Sequence, residues 1–263
     1  MDLDDAYANG KYIAGAEAYP VRWREAAAAF RDRMLAAGRA RLDLSYGSGE
    51  RHRYDLFLPE GEARGAVVFV HGGYWLNFDK SVWSHLAQGP LGRGWAVAMP
   101  SYDLCPAVRI ADITAQIAQA VQAVAAEVDG PISLTGHSAG GHLVARMAAP
   151  GMLPPEVAAR LAHIVPISPL SDLRPLLRTS MNAHFAMDQA AAEAESPVLQ
   201  PAPSVPVTLW VGAAERPSFL DQARWLAEAW NAENVVVPQR HHFDVIDALA
   251  DPDSELTRTL TGS

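Results

Sequence analysis

Gly136-His137-Ser138-Ala139-Gly140 sets a serine between two glycines, directly after the short apolar stretch 131–135 and directly before the small and apolar run 138–149. A strand that must turn at once into a helix leaves one residue at the corner. That residue is forced into a strained backbone conformation with its side chain lifted clear of the sheet edge, and flanking glycines admit the close backbone approach the turn demands. The segment therefore predicts strand, turn and helix, with Ser138 placed as in a nucleophile elbow.

The rest of the pattern agrees with such a corner. Continuous apolar runs at 66–70, 95–99, 132–134, 164–167 and 207–211, with 235–237 as a last strand, have the character of strands buried on both faces. Helical stretches at 81–88, 110–128, 138–149 and 217–230 alternate with them, which predicts a doubly wound α/β sheet with helices on both faces. Ahead of them, 41–46 and 52–58 alternate polar with apolar residues around Gly47-Ser48-Gly49, a hairpin signal read here as antiparallel edge strands. This makes eight strands, mostly parallel. An amphipathic helix is predicted over 21–37, with Trp23, Ala27, Phe30 and Leu35 on its apolar face, lying on the main domain and placed to help cover a site. The stretch 169–204 is richer in Pro, Ala and Met, has a helical candidate at 188–195, and is read as a small lid insertion. A chain of 263 residues suits one domain, 1–263.

Composition narrows the partners. A net charge of −9 without a Lys/Arg cluster argues against nucleic acid. The acidic start Met1-Asp2-Leu3-Asp4-Asp5 lacks a secretory pattern and no apolar stretch is long enough to span a bilayer, so a cytoplasmic protein without a membrane partner is expected. The single cysteine, Cys105, allows no internal disulfide and is read as a buried residue rather than a nucleophile. No His/carboxylate cluster has metal spacing and no glycine-rich loop cradles a phosphate, so neither metal nor cofactor is expected. A small-molecule substrate is the expected partner, with a homodimer left open.

The chemistry is carried by three further segments. His71-Gly72-Gly73-Tyr74-Trp75 follows the strand 67–70, and the backbone N–H groups of Gly73 and Tyr74, joined by that of Ala139, suit an oxyanion hole. His71 is assigned to orienting this turn. A serine nucleophile needs a base, and the base a carboxylate, here in the chain order Ser, acid, His. Glu215 follows the strand 207–211, with Asp172 and Asp221 as alternatives. His242, with His241 as the alternative, follows 235–237 and precedes Phe243. Tyr74, Trp75 and His137 are the candidates for contact with substrate, against ordinary packing for Tyr74 and Trp75 and packing or hydrogen bonding for His137. His142 is read as packing or hydrogen bonding, and Arg174 or Arg178 is the candidate reader of a substrate carboxylate.

The motifs His71 to Trp75, Gly136 to Leu143, Ser101-Tyr102-Asp103-Leu104-Cys105-Pro106 and His242-Phe243-Asp244, with Tyr7, Asn9 and Trp23 near the start, together resemble the α/β-hydrolase type of kynurenine formamidase, or arylformamidase. The elbow and the His-Gly-Gly turn are shared with hormone-sensitive-lipase-like esterases. The resemblance implies an α/β-hydrolase fold and hydrolysis of N-formyl-L-kynurenine to kynurenine and formate, with Ser138 as nucleophile, Glu215 as acid and His242 as base. Where that family usually has aspartate, this chain has Glu215. A carboxylesterase acting on short acyl esters would use the same machinery, and a non-catalytic binding module of this fold is the remaining class.

Overall fold

The protein is described by a computed structural model over residues 2–262. Eight strands form one sheet: β1 (Ala40–Ser45), β2 (Arg53–Phe57), β3 (Ala66–Val70), β4 (Ala96–Pro100), β5 (Ile132–His137), β6 (Leu161–Ile167), β7 (Thr208–Gly212) and β8 (Glu233–Val237). Their order is β1-β2-β4-β3-β5-β6-β7-β8. β1 with β2 and β2 with β4 are antiparallel, and the other pairs are parallel. This is the eight-stranded, mostly parallel sheet of an α/β-hydrolase.

Period-two alternation explains why the inner strands read as unbroken apolar runs. In β3, Ala66, Val68 and Val70 face one hydrophobic layer while Val67 and Phe69 face the other; in β4, Ala96 and Ala98 oppose Val97 and Met99 in the same way. Helices Ile110–Glu127 and Ala139–Arg146 cover the first face, and helix Tyr19–Ala36 covers the second with the C-terminal segments. On Tyr19–Ala36, Pro20 occupies the first turn, where its missing N–H costs nothing. The buried stripe is Tyr19, Trp23, Ala27, Phe30 and Met34; Leu35, expected on that stripe, is exposed because Met34 takes the inward position.

Two expectations about local structure need correction. Only β1 is an edge strand of the hairpin, since β2 is hydrogen-bonded on both sides. Its polar Asp55 is tolerated inside because it accepts from Lys80 Nζ at 2.6 Å and Asp43 N at 2.9 Å. The helix expected over 81–88 is instead two 3₁₀ turns, Lys80–Val82 and Ser84–Ala87, followed by the short α-helix Gln88–Gly92. Val82, Trp83 and Leu86 are buried along these 3₁₀ turns. The insertion between β6 and β7 carries the 3₁₀ turn Arg174–Arg178 and the short helices Asn182–Phe185 and Gln189–Ala194, the last capped by Asp188.

The turn after β5 depends on glycine. A Cβ on Gly140 would stand 2.0 Å from the Val70 carbonyl oxygen, so the helix reaches β3 only because that side chain is absent. Gly140→Ala must therefore push the helix off the sheet, and a loss of about 3 kcal/mol or more in urea unfolding is expected. An unchanged midpoint would show that the helix has room to move.

Candidate active site

The C-terminal ends of β3, β5, β6, β7 and β8 place the candidate residues at one edge of the sheet, where open α/β sheets bind ligands. Ser138 sits at the corner after β5 with φ 57 and ψ −118. This is a sparsely populated region for an L-residue, worth about 1–3 kcal/mol of strain that the packed turn must hold. Gly72 lets the neighbouring turn close on it, for a Cβ there would lie 2.6 Å from His137 O and 3.1 Å from Ser138 Cβ.

That turn runs through Gly73, Tyr74 and Trp75 with positive φ throughout, 109, 53 and 56. The chain loops so that Leu76 N and Asn77 N bond to Gly73 O at 3.0 and 3.1 Å, while among the described residues the N–H groups of Gly73 and Tyr74 donate to no backbone carbonyl. Ala139 opens a helix, so its N–H has no intrahelical acceptor. His71 stacks on Tyr102 at 4.2 Å, its Nδ1 lies 2.8 Å from Gly72 O, and Tyr102 OH donates to His71 O at 2.9 Å. Arg51 supports both ends of this arrangement by donating to Tyr102 O and Phe78 O, each at 2.6 Å.

Glu215 and His242 meet from separate loops. His242 Nδ1 is 2.6 Å from Glu215 Oε2, and the other carboxylate oxygen accepts from Ser168 Oγ at 2.5 Å and from Gly212 N at 2.9 Å. Ser138, Glu215 and His242 are all buried. Ser138 and His242 line one cavity without a direct hydrogen bond in this conformation, a contact that commonly tightens in the substrate complex. The alternatives lie elsewhere: Asp172 pairs with Arg174 at 2.7 Å, Asp221 pairs with Arg224 at 2.9 Å, and His241 bonds to Tyr19 OH at 3.1 Å. Ser168 carried no signal in the sequence; its position just past the end of β6 is the feature that marks it.

The cavity has a volume of about 410 Å³. Tyr74 and His137 line it, as do Trp23, Phe78, Trp83 and Phe243, which make an aromatic wall. Trp75 does not. Its positive φ turns the indole into the core, where it is fully buried edge-on to His142 and Phe185, so its expected contact with substrate is not made. Arg174 and Arg178 are likewise absent from the lining, which among the described residues contains no Lys or Arg. The cover also differs from the expected lid. Ser180 and Met181 are all that 169–204 adds to the lining, whereas the N-terminal segment contributes Asp4, Tyr7, Asn9 and further residues up to Trp23. That segment is pinned by Tyr74 OH donating to Tyr7 O at 2.7 Å and by Gln222 Nε2 donating to Tyr7 OH at 2.9 Å.

Sheet and site define the class: an α/β-hydrolase. A family profile described as BD-FAE matches residues 54–200. A kynurenine formamidase of Drosophila melanogaster is 31% identical over 238 residues, covering 82% of this chain and 79% of that protein. A crystal structure from Silicibacter sp. TM1040, described as that of a candidate thioesterase, is 63% identical with a TM-score of 0.98, and 100% of each chain is covered. An esterase of Pyrobaculum calidifontis shares the fold at 18% identity with a TM-score of 0.70, over 93% of this chain and 92% of that one. The chain belongs to the BD-FAE family and, within the α/β-hydrolases, to the kynurenine formamidase family, and it is a hydrolase. Among the described residues no helix is long and apolar enough to cross a membrane.

Burial sets the protonation of the groups around the site. It lowers His71 and His142 to about 4 each and His137 well below the usual histidine range, with the charge of His242 adding to the last. Burial likewise raises the Cys105 thiol to about 11, which leaves it protonated and unreactive at neutral pH. For His71 and His142 the unfolded chain takes up protons below its ordinary value of 6.5, while the folded chain does not until about 4. Stability contributed by these two is therefore full above pH 6.5 and is lost as pH falls through about 4. Urea unfolding at pH 7.0, 5.5 and 4.5 is expected to show a falling midpoint, and a flat profile would contradict neutral buried imidazoles.

Proposed function

We propose that the chain is an arylformamidase that hydrolyses N-formyl-L-kynurenine to L-kynurenine and formate. The observation that carries the reading is the 2.6 Å Glu215–His242 hydrogen bond beside Ser138, in a cavity where the turn amides of Gly73 and Tyr74 have no backbone acceptor. In this account His242 Nε2 takes the Ser138 proton as Oγ attacks the formyl carbon. Glu215 holds the imidazole in the required tautomer, and the N–H groups of Gly73, Tyr74 and Ala139 take the developing oxyanion. His242 then protonates the leaving aniline nitrogen, the C–N bond breaks, and a formyl ester remains on Ser138. Water, deprotonated by His242, attacks that ester and releases formate with recovery of the serine. An aryl amine leaves more readily than an alkyl amine, so machinery of esterase type suffices for this amide.

The aromatic wall of Trp23, Phe78, Trp83 and Phe243 suits an aryl leaving group, and Tyr74 and His137 are placed to contact it. The cytoplasmic location and a small-molecule partner belong to the same proposal. One observation favours a second reading, a carboxylesterase or thioesterase: the lining has no Lys or Arg to meet a substrate carboxylate.

The test is kcat/KM on N-formyl-L-kynurenine beside p-nitrophenyl acetate. The formamide is expected to be preferred by orders of magnitude, with Ser138→Ala losing at least about a thousandfold. Turnover of the ester alone would favour the second reading. Glu215→Gln, which keeps the shape but not the charge, is expected to lower kcat by about a thousandfold or more. Glu215→Asp should retain more activity than Glu215→Gln, and equal losses would remove Glu215 from the proposed role.

A further inference from the structure

Two stretches of chain meet over the catalytic cavity at Asp4 and Ser180, and both residues line it. Ser180 N and Ser180 Oγ donate to one and the same carboxylate oxygen, Asp4 Oδ1, at 2.7 and 3.0 Å. Among the described residues nothing donates to Asp4 Oδ2, and no Lys or Arg pairs with this carboxylate, whereas its neighbour Asp5 is paired with both Lys11 and Arg216. Asp4 is exposed, so its side chain is open to what enters the cavity. Its place is nevertheless fixed. It belongs to the short helix Leu3–Ala6, capped by Asp2, and stands three residues before Tyr7, whose carbonyl accepts from Tyr74 OH at 2.7 Å. Three residues of helix cover about 4.5 Å. The segment thus runs from buried Tyr7, tied to the oxyanion turn, out to Asp4 at the mouth.

The charge of the lining is one-sided. Among the described residues it holds this single carboxylate and no Lys or Arg, and the rings of Trp23, Phe78, Trp83 and Phe243 attract a cation rather than an anion. An amino-acid substrate brings both signs, and only its ammonium finds a partner here. We propose that Asp4 Oδ2 receives the ammonium group on the side chain of the aryl leaving group, so that the site recognises its substrate by a primary amine and leaves the substrate carboxylate to solvent. This rests on the formamidase reading for the bond that is cleaved and adds the group by which the substrate is held. Asp4 takes no part in the chemistry at the formyl carbon: it binds the end of the substrate that lies toward the mouth, away from buried Ser138.

The experiment uses two pairs of substrates that differ in the charge of one arm. The formamide pair is N-formylkynuramine, which carries only the ammonium, and 4-(2-formamidophenyl)-4-oxobutanoate, which carries only the carboxylate. The ester pair is the phenolic acetates of tyramine and of 3-(4-hydroxyphenyl)propanoate. Wild type, Asp4→Asn and Asp4→Lys are compared after active-site titration, so that rates refer to folded protein. Asp4→Asn keeps an acceptor for Ser180 and removes the charge. Wild type is expected to prefer the cation in each pair; the cation-to-anion ratio of kcat/KM should fall about threefold to tenfold in Asp4→Asn, mainly through KM, and further in Asp4→Lys. A ratio that neither variant changes, with both rates falling in parallel, would overturn the assignment and leave Asp4 a tether for Ser180. Wild type preferring the anion would overturn it as well. The formamide pair decides wherever formamides are turned over. Turnover of esters alone refutes the formamidase reading, and the ester pair then decides the role of Asp4 by the same ratio.

Discussion

The close approach of helix Ala139–Arg146 to β3 at Gly140 is the constraint from which the site follows. With the Val70 carbonyl occupying the space a Cβ would need, the chain leaving β5 has no room for a gradual turn, and Ser138 takes positive φ. The same crowding seats the His71 to Tyr74 turn against the corner through Gly72. Strain at Ser138 is thus held by close backbone packing between the corner after β5 and the end of β3. The rigid sheet supplies the reference frame in which loops after β7 and β8 bring Glu215 to His242.

A second layer of organisation comes from the start of the chain. Residues 4–23 lie across the mouth of the cavity and are tied to the body by a few polar contacts of differing exposure. Tyr7 is the most deeply fixed, between Tyr74 and Gln222, and burial raises its phenol above the ordinary range so that it stays a neutral hydrogen-bonding group. Asp4 bonds to Ser180 at 2.7 Å and Arg216 to Asp5 at 3.1 Å near the surface, where such pairs contribute little stability. The cover is accordingly held by buried hydrogen bonds at Tyr7 and by more exposed polar pairs at Asp4 and Asp5.

The sheet was legible in the sequence because two-sided burial leaves unbroken apolar runs, and the elbow because its glycines are sterically required. The segment 81–88 was misread as a helix because its buried Val82, Trp83 and Leu86 mimic helical spacing while the chain follows 3₁₀ turns. Trp75 was misplaced for a related reason: composition marks an aromatic beside a glycine turn, but only the positive φ decides that the ring points into the core. The cover over the cavity was assigned chiefly to 169–204, since insertions at that point are visible as composition shifts. A short, polar N-terminal stretch that folds back on the site has no periodicity to announce it. Asp172, Glu215 and Asp221 all satisfy the chain order, so Glu215 was separable only by its place on the loop after 207–211, and the structure adds that the other two are already paired with arginines.

In the proposed reaction the corner serine attacks an acyl carbon while the turn amides receive the oxyanion. A structure of the protein after reaction with a small organophosphonate tests it most directly. A single adduct on Ser138 Oγ is expected, with the phosphonyl oxygen within hydrogen-bond distance of the N–H groups of Gly73, Tyr74 and Ala139. Absence of labelling in the folded protein, or a Ser138 adduct whose oxygen points away from those amides, would contradict it.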